Sequence, residues 1–160
     1  MTVSDPDPRP LALYGQESSL PPPDWPWVER ELERAGTYWL VARSPVHPHP
    51  RPLWAVWHER TLFASIGSPV LVRQIENDPS VTLHLDSGTD VVIVEGRAAG
   101  PSADSAVVDK YNVKYDWCYS VEEYGPLITI VPSTVIAWRS AEWAGRGGFQ
   151  QAGRWRLDGR

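Results

Sequence analysis

VTLHLDSGTDVVIVEGRAAG, residues 81–100, decides the fold. VTLHLD (81–86) alternates apolar and polar side chains, the period of a half-buried strand. SGTD (87–90) has turn chemistry, and VVIVEGRAAG (91–100) is β-branched enough to return as a long strand, with Gly96 placed for a bulge. The stretch is therefore a β-hairpin. A second hairpin precedes it: LWAVW (53–57), the turn HER (58–60) and TLFASI (61–66). TYWLVAR (37–43) reads as another strand, and ITIVPSTVIAWR (128–139) as a strand pair or one bent strand bulged at Pro132. SPVHPHPRP (44–52) has four prolines in alternation. Proline cannot donate to a ladder, so this stretch is an extended connector or an edge.

Helices fall between the hairpins. Asp24 can cap one, with Trp25 and Pro26 in its first turn, Val28, Leu32 and Ala35 at helical spacing and Gly36 at its end. Ser68-Pro69 opens a second over 69–77, with Val72, Ile75 and Leu71 as candidate buried positions, and Asp78-Pro79 stops it. Ser102 can cap a third over 103–115, and Ser120 and Glu123 have capping-box spacing in the loop 116–126. Six strands in hairpins with three short helices and no regular β-α-β alternation imply a mainly β fold. It is expected to be a six-stranded antiparallel barrel with helices packed outside. Residues 24–157 form that domain. Residues 1–23, with six prolines, form a flexible arm on which Leu11, Leu13 and Tyr14 can dock, and 158–160 form a tail.

Composition limits the partners. The 160 residues carry 15 Lys and Arg against 20 Asp and Glu, a net charge of −5. That balance argues against nucleic acid or an anionic membrane as a partner, since both need a basic face. One cysteine, Cys118, excludes an internal disulfide and favours a reducing compartment, the cytoplasm. No apolar run approaches the roughly 20 residues of a spanning helix, and MTVSDPDPRP has no signal-peptide core. Nine tryptophans fit either an aromatic core or a site for a planar ligand. Trp54 and Trp57, three apart on a strand, point to opposite faces, so at most one lines a groove. His47 and His49 share a face of an extended segment, but no carboxylate or cysteine lies near enough in sequence to complete a metal set. His84 reads as a packed or interface histidine and Cys118 as an inert thiol. GRGG (145–148) lacks a Walker or Rossmann context, and no nucleophile–base pairing is legible.

The ordered motifs carry a resemblance. Pro48-His49 with Pro52, Trp54 and Val56-Trp57 is similar to a PHxxPxWxVW strand; VRQIENDPSVTLHL (72–85) to xRNLxxDPRVxLHL; SGTDVVIVEGRA (87–98) to SGDDVVxVEG. YNVKYDW (111–117) is similar to a YxxKYGW helix end, VPSTVIAW (131–138) to RPxxVxAW, and Arg154-Trp155-Arg156 to a terminal TRWRF. In this order they resemble the FMN-binding split-barrel superfamily, most closely the pyridoxamine 5′-phosphate oxidase-like proteins that use the deazaflavin coenzyme F420. The resemblance implies a split barrel that pairs with a second copy and holds F420 or FMN in a groove between the subunits. It assigns the cofactor to His49, Pro52, Trp54, Ser65, Gly67, Ser68, Arg73, Arg154, Trp155 and Arg156, and a substrate wall to Lys114, Tyr115 and Trp117.

One departure matters. Many members hold the phosphate with a Ser/Thr-Arg-Lys run, a set of charge-assisted donors at a helix start. Here the run is Ser68-Pro69-Val70-Leu71, with Val70 and Leu71 at the two basic positions. Losing one charged hydrogen bond costs roughly 1.5–3 kcal/mol, about one to two decades of affinity. Arg51, Lys114, Arg154 and Arg156 are the candidates to replace that charge. The implied activity is hydride transfer between F420 or FMN and a small conjugated substrate, in which the cofactor carries the chemistry and no catalytic triad is needed. The rival is a split barrel without a redox cofactor that uses the aromatic groove as a catalyst or small-molecule binder; haem on His47 or His49 is a third possibility.

Overall fold

The computed structural model describes residues 4–12, 20–139 and 151–157. Leu13 and Tyr14 of the arm, the GRGG run and the tail 158–160 lie outside the described residues. The described chain forms nine strands and four helices: β1 (Arg9–Pro10), α1 (Trp25–Arg34), β2 (Tyr38–Ala42), β3 (His49–Leu53), β4 (Ala55–His58), β5 (Thr61–Ala64), α2 (Pro69–Asn77), β6 (Ser80–Leu85), β7 (Asp90–Ser102), α3 (Ser105–Tyr115), α4 (Val121–Tyr124), β8 (Leu127–Arg139) and β9 (Gln151–Arg156). The main path of the sheet runs β1-β9-β8-β7-β6-β2-β3, all antiparallel. The β4–β5 hairpin joins it through β5 on β8. The path does not close on itself, so the barrel is split.

Both expected hairpins form, and the count of six strands is corrected to nine. The proline-rich connector supplies β3, an edge strand on β2. Residues 128–139 form one strand, β8, rather than a pair. β9 pairs β8, and the arm contributes the two residues of β1, opposite Arg154 and Gly153. The bulges expected at Gly96 and at Pro132 are one irregularity seen from both strands: Glu95 faces Thr134, whereas Gly96 faces Pro132. A Cβ on Gly96 would lie 2.5 Å from the Val131 carbonyl oxygen, so only glycine fits there.

The helices follow their caps. The Asp24 carboxylate accepts from the Trp27 N–H at 2.9 Å, and Ser68 and Ser120 cap α2 and α4 in the same way. α3 is capped by Asp104 instead of Ser102, because β7 continues through Ser102. In α2 the buried residue is Leu71, while Val72 and Ile75 are only half-buried. Leu71 sits in the main core, and Ile75, one turn on, packs against it while staying half-buried. A main core, built around Trp25, Trp57 and Trp155, lies between α1 and the sheet. A smaller one gathers Val56, Val107, Tyr111, Tyr119 and Leu127 beneath α3. Arg60, in the β4–β5 turn, lies over the Trp25 ring and holds the arm by the Ser4 carbonyl (3.0 Å) and the Asp5 carboxylate (3.1 Å). No helix among the described residues is long and apolar enough to cross a membrane.

Gly96→Ala should force the β7–β8 backbone apart at the bulge and destabilise the fold by about 1–3 kcal/mol. A urea or thermal midpoint equal to that of the wild type would contradict the close approach of Gly96 to Val131.

Candidate functional site

The split in the barrel leaves a backbone problem at Ala55. Among the described residues β4 pairs only with β5, and the hydrogen bond from the Ser65 N–H to the Trp54 carbonyl (3.1 Å) turns Ala55's own peptide groups away from that partner. Ala55 is fully buried, where an unpaired N–H and carbonyl would be costly. Side chains take the place of the missing strand. Tyr115 Oη accepts from the Ala55 N–H and donates to its carbonyl, both at 2.9 Å. Lys114 Nζ donates to the same carbonyl at 3.0 Å and to Tyr38 Oη at 2.8 Å, while Tyr38 donates to the Leu32 carbonyl. The C-terminal turn of α3 is thereby fixed on β4. Trp54 stacks parallel on Tyr115, with centroids 4.6 Å apart, and meets Trp117 edge to face at 6.1 Å.

These contacts shape the electrostatics. Burial, then the neighbouring Lys110, pulls the Lys114 ammonium down to about 8. Burial pushes Tyr115 up to about 12 and raises Tyr38, Tyr111 and Tyr119 as well. The tyrosines are therefore neutral phenols at physiological pH.

Beside Trp54 lies a groove of about 340 Å³. Arg51 to Trp54 form one wall and Ser65 to Ser68 the other; buried Leu71 and Tyr111 form the base. Trp54 is 41% exposed and faces this groove, whereas Trp57 is 2% exposed in the core, so the two divide between faces as their spacing requires. α2 begins at the groove. Pro69 has no N–H, and Ser68 takes the N–H of Leu71 on Oγ (3.4 Å) and that of Val72 on its carbonyl (3.0 Å). Val70 supplies the remaining N–H of that turn. Arg51 hydrogen-bonds the Pro50 carbonyl at 2.9 Å and lies 3.3 Å from His49 Nδ1. No carboxylate among the described residues pairs with it.

The structure brings together Pro52, Trp54, Ser65, Gly67 and Ser68 of the expected site. Lys114 and Tyr115 stand behind Trp54, with Trp117 at its edge. His49 touches the groove only through Arg51. Arg73 is exposed on α2, away from the groove lining; Arg154 and Arg156 are exposed on β9, opposite Ile136 and Thr134. Trp155 is fully buried against Trp25, which leaves no ring face for a ligand. Of the four candidate replacement cations, only Arg51 lines the groove. Leu71 is 2% exposed and Val70 46%, so a cation at position 71 would be buried in the core. Tyr111 is a groove residue that the sequence reading left out; its spacing of four from Tyr115 on α3 was the available signal. A second groove, of about 480 Å³, lies beside the end of β2, the start of β6 and the bulge of β7. It holds both Glu95 and Arg97 and none of the expected site residues.

No protein-family model and no curated protein matches the sequence. Solved structures do match in shape. An F420 reductase is similar over 67% of this chain and 94% of its own, at 21% identity and a TM-score of 0.55. A Listeria innocua protein provisionally assigned as a pyridoxamine 5′-phosphate oxidase is similar over 72% and 98%, at 20% identity and 0.58. The FAD-binding protein of Mycobacterium smegmatis is similar over 86% and 100%, at 16% identity and 0.52. At these identities the likeness shows a shared fold, and that fold is the split barrel expected from the motifs.

The depressed Lys114 gives stability a definite pH dependence. Below pH 8 the folded chain carries the full penalty of the buried charge. Between about 8 and 10.5 the folded state releases this proton while the unfolded chain keeps it, so stability rises with pH. Above about pH 10 unfolded tyrosines ionise while Tyr38 and Tyr115 hold their protons, and stability falls. The urea midpoint should climb from about pH 8 to about pH 10, and Lys114→Met should remove the climb. A wild-type midpoint that falls across this interval would show that Lys114 is not held in the low-dielectric setting described.

Proposed function

We propose that this protein is a flavin- or deazaflavin-dependent oxidoreductase that moves a hydride between F420 or FMN and a small conjugated substrate, as a homodimer in the cytoplasm. The observation that carries the reading is Arg51, a cation that pairs with no carboxylate among the described residues, in one groove with an exposed indole and the start of a helix. A flat heterocycle with an acidic tail needs this donor set. The ring takes the Trp54 face; the tail takes Arg51, the Ser68 hydroxyl and the Val70 N–H. The charge missing from α2 is thus supplied from β3, across the groove. When bound, the cofactor supplies the hydride chemistry, while the chain binds and orients it and keeps water from the ring. Lys114 and Tyr115 hold Trp54 in place, and Trp117 extends the aromatic wall on the substrate side.

The groove's size supports pairing. About 340 Å³ is near the lower end for small-molecule sites, enough for a ring system but not for a whole cofactor. A second copy would roof the rest. The outer sheet face offers a surface for it: Trp39, Ile93 and Ile136 lie in one cross-strand row, all half-buried, with Trp39 stacked on His84. Val41 adjoins them on β2.

The absorbance spectrum and tryptophan fluorescence of the purified protein, with F420 and then FMN added, test the reading. One of the two should quench the indoles saturably. Arg51→Ala should weaken that binding by at least about tenfold, and Arg73→Ala should leave it unchanged. A colourless protein that binds neither at tens of micromolar would overturn it. Saturable thermal stabilisation by an apolar metabolite would then favour the cofactor-free reading, for which Leu71 at the groove's base is the supporting feature. Independently, Ile136→Glu should convert a sedimenting dimer to monomer. Unchanged sedimentation would remove this face from the interface.

A further inference from the structure

Beyond the edge of Trp54, two aromatic rings stand in solvent on a tightly held loop. Trp117 and Tyr124 are each nearly half exposed. Single apolar side chains at a surface are ordinary, but these two are neighbours, with ring centroids 6.5 Å apart and planes at 52°. Trp117 also meets Trp54 at 6.1 Å, so the pair continues the groove's aromatic wall outward. The Trp117 N–H is bonded to the Asn112 carbonyl at 3.1 Å. The Asn112 side chain donates to the Tyr119 carbonyl (3.0 Å) and accepts from the Tyr119 N–H (2.6 Å). Tyr119, buried and bonded to the Gly125 carbonyl, stacks on Tyr124 at 5.5 Å. Rings held in this way lose little conformational freedom when a ligand settles on them.

The surrounding charge sets the ligand's sign. Asp116 directly precedes Trp117, and Glu122 and Glu123 lie in the first turn of α4, just before Tyr124; all three are exposed. No lysine, arginine or histidine among the described residues forms an ion pair with any of them. Lys114 is turned to the Ala55 carbonyl and Tyr38, and Lys110 to Glu33. An electron-rich ring face attracts a cation, and carboxylates beside it add to that attraction and repel an anion. The sign is opposite to that of the Arg51 end, so the two ends of the aromatic wall select oppositely charged groups. We propose that Trp117 and Tyr124 form the substrate's platform, and that it takes a flat organic cation, such as an N-alkylated heteroaromatic ring, in preference to a neutral or anionic ring of the same shape. The inference rests on the flavin-type reading above for the role of this surface, and it names the charge class of the substrate.

Isothermal titration of the full chain, without added cofactor, compares three flat probes in neutral buffer: N-methylquinolinium, its uncharged counterpart quinoline, and 2-naphthoate. The cation should bind at least about fivefold more tightly than quinoline, with naphthoate weakest. Trp117→Leu and Tyr124→Leu should each bring the cation and quinoline to near equality. Glu122→Gln with Glu123→Gln should shrink the preference and its salt dependence while leaving quinoline's affinity as it was. Equal wild-type binding of the cation and quinoline, tighter binding of naphthoate, or a preference untouched by both aromatic replacements would overturn the proposal. Binding of none of the three would overturn it too, and a change of sedimentation in Trp117→Glu would then give this surface to a second copy. Titration with F420 and FMN is a separate measurement. Cofactor binding without a cation preference would leave the flavin-type reading standing and overturn this inference alone; a cation preference without cofactor binding would uphold the platform as a cation site and overturn the flavin-type reading.

Discussion

The site depends on the unpaired edge of β4. A split barrel leaves one strand without a neighbour just where its backbone is buried, and here the vacancy falls at Ala55. Tyr115 and Lys114 fill the missing ladder with a phenol and an ammonium group. Burying an amide without a partner costs roughly 1–3 kcal/mol, so the clamp is worth more than its count of contacts. It also sets geometry. With α3 held on Ala55, Tyr115 provides the platform for Trp54, and Tyr111, one turn earlier, reaches the base of the groove. The lowered Lys114 and raised Tyr115 are consequences of the same burial.

Much of this was legible because local chemistry and global fold agree. Alternation at 81–86, the turn at 87–90 and the caps Asp24, Ser68 and Ser120 are decided within a few residues, and each stands where the pattern puts it. Gly96 and Pro132 each mark a bulge, and the register puts them opposite one another. Strands β1 and β9 were not legible as strands, and the stretch that forms β3 read only as an extended connector or an edge. Two of the three carry prolines, and β1 is a strand through its pairing with β9, near the other end of the chain. Val72 and Ile75 were expected to be buried along with Leu71 but are only half-buried: helical spacing gives a face, but tertiary placement decides how deep each turn of α2 reaches.

The site itself was only half legible. Motif order brought Pro52, Trp54, Ser65, Gly67 and Ser68 into one list, and they share one groove. The same order added Arg154, Trp155 and Arg156. β9, however, turns its arginines to one face of the sheet and its tryptophan to the core, a division that a motif does not state. Arg51 sits in a proline-rich edge, where sequence gives no facing direction. The chain as a whole is acidic, with a net charge of −5, so a groove guanidinium that pairs with no carboxylate among the described residues is a local exception to the global field.

The two ends of the main sheet path share a property. β1 ends on Pro10 and β3 contains Pro50 and Pro52, so each outermost strand is short of N–H groups for a further ladder. Growth of the sheet by adding strands from other molecules is discouraged at both margins. The prolines thereby act against fibre-like propagation of the sheet from either end of this path.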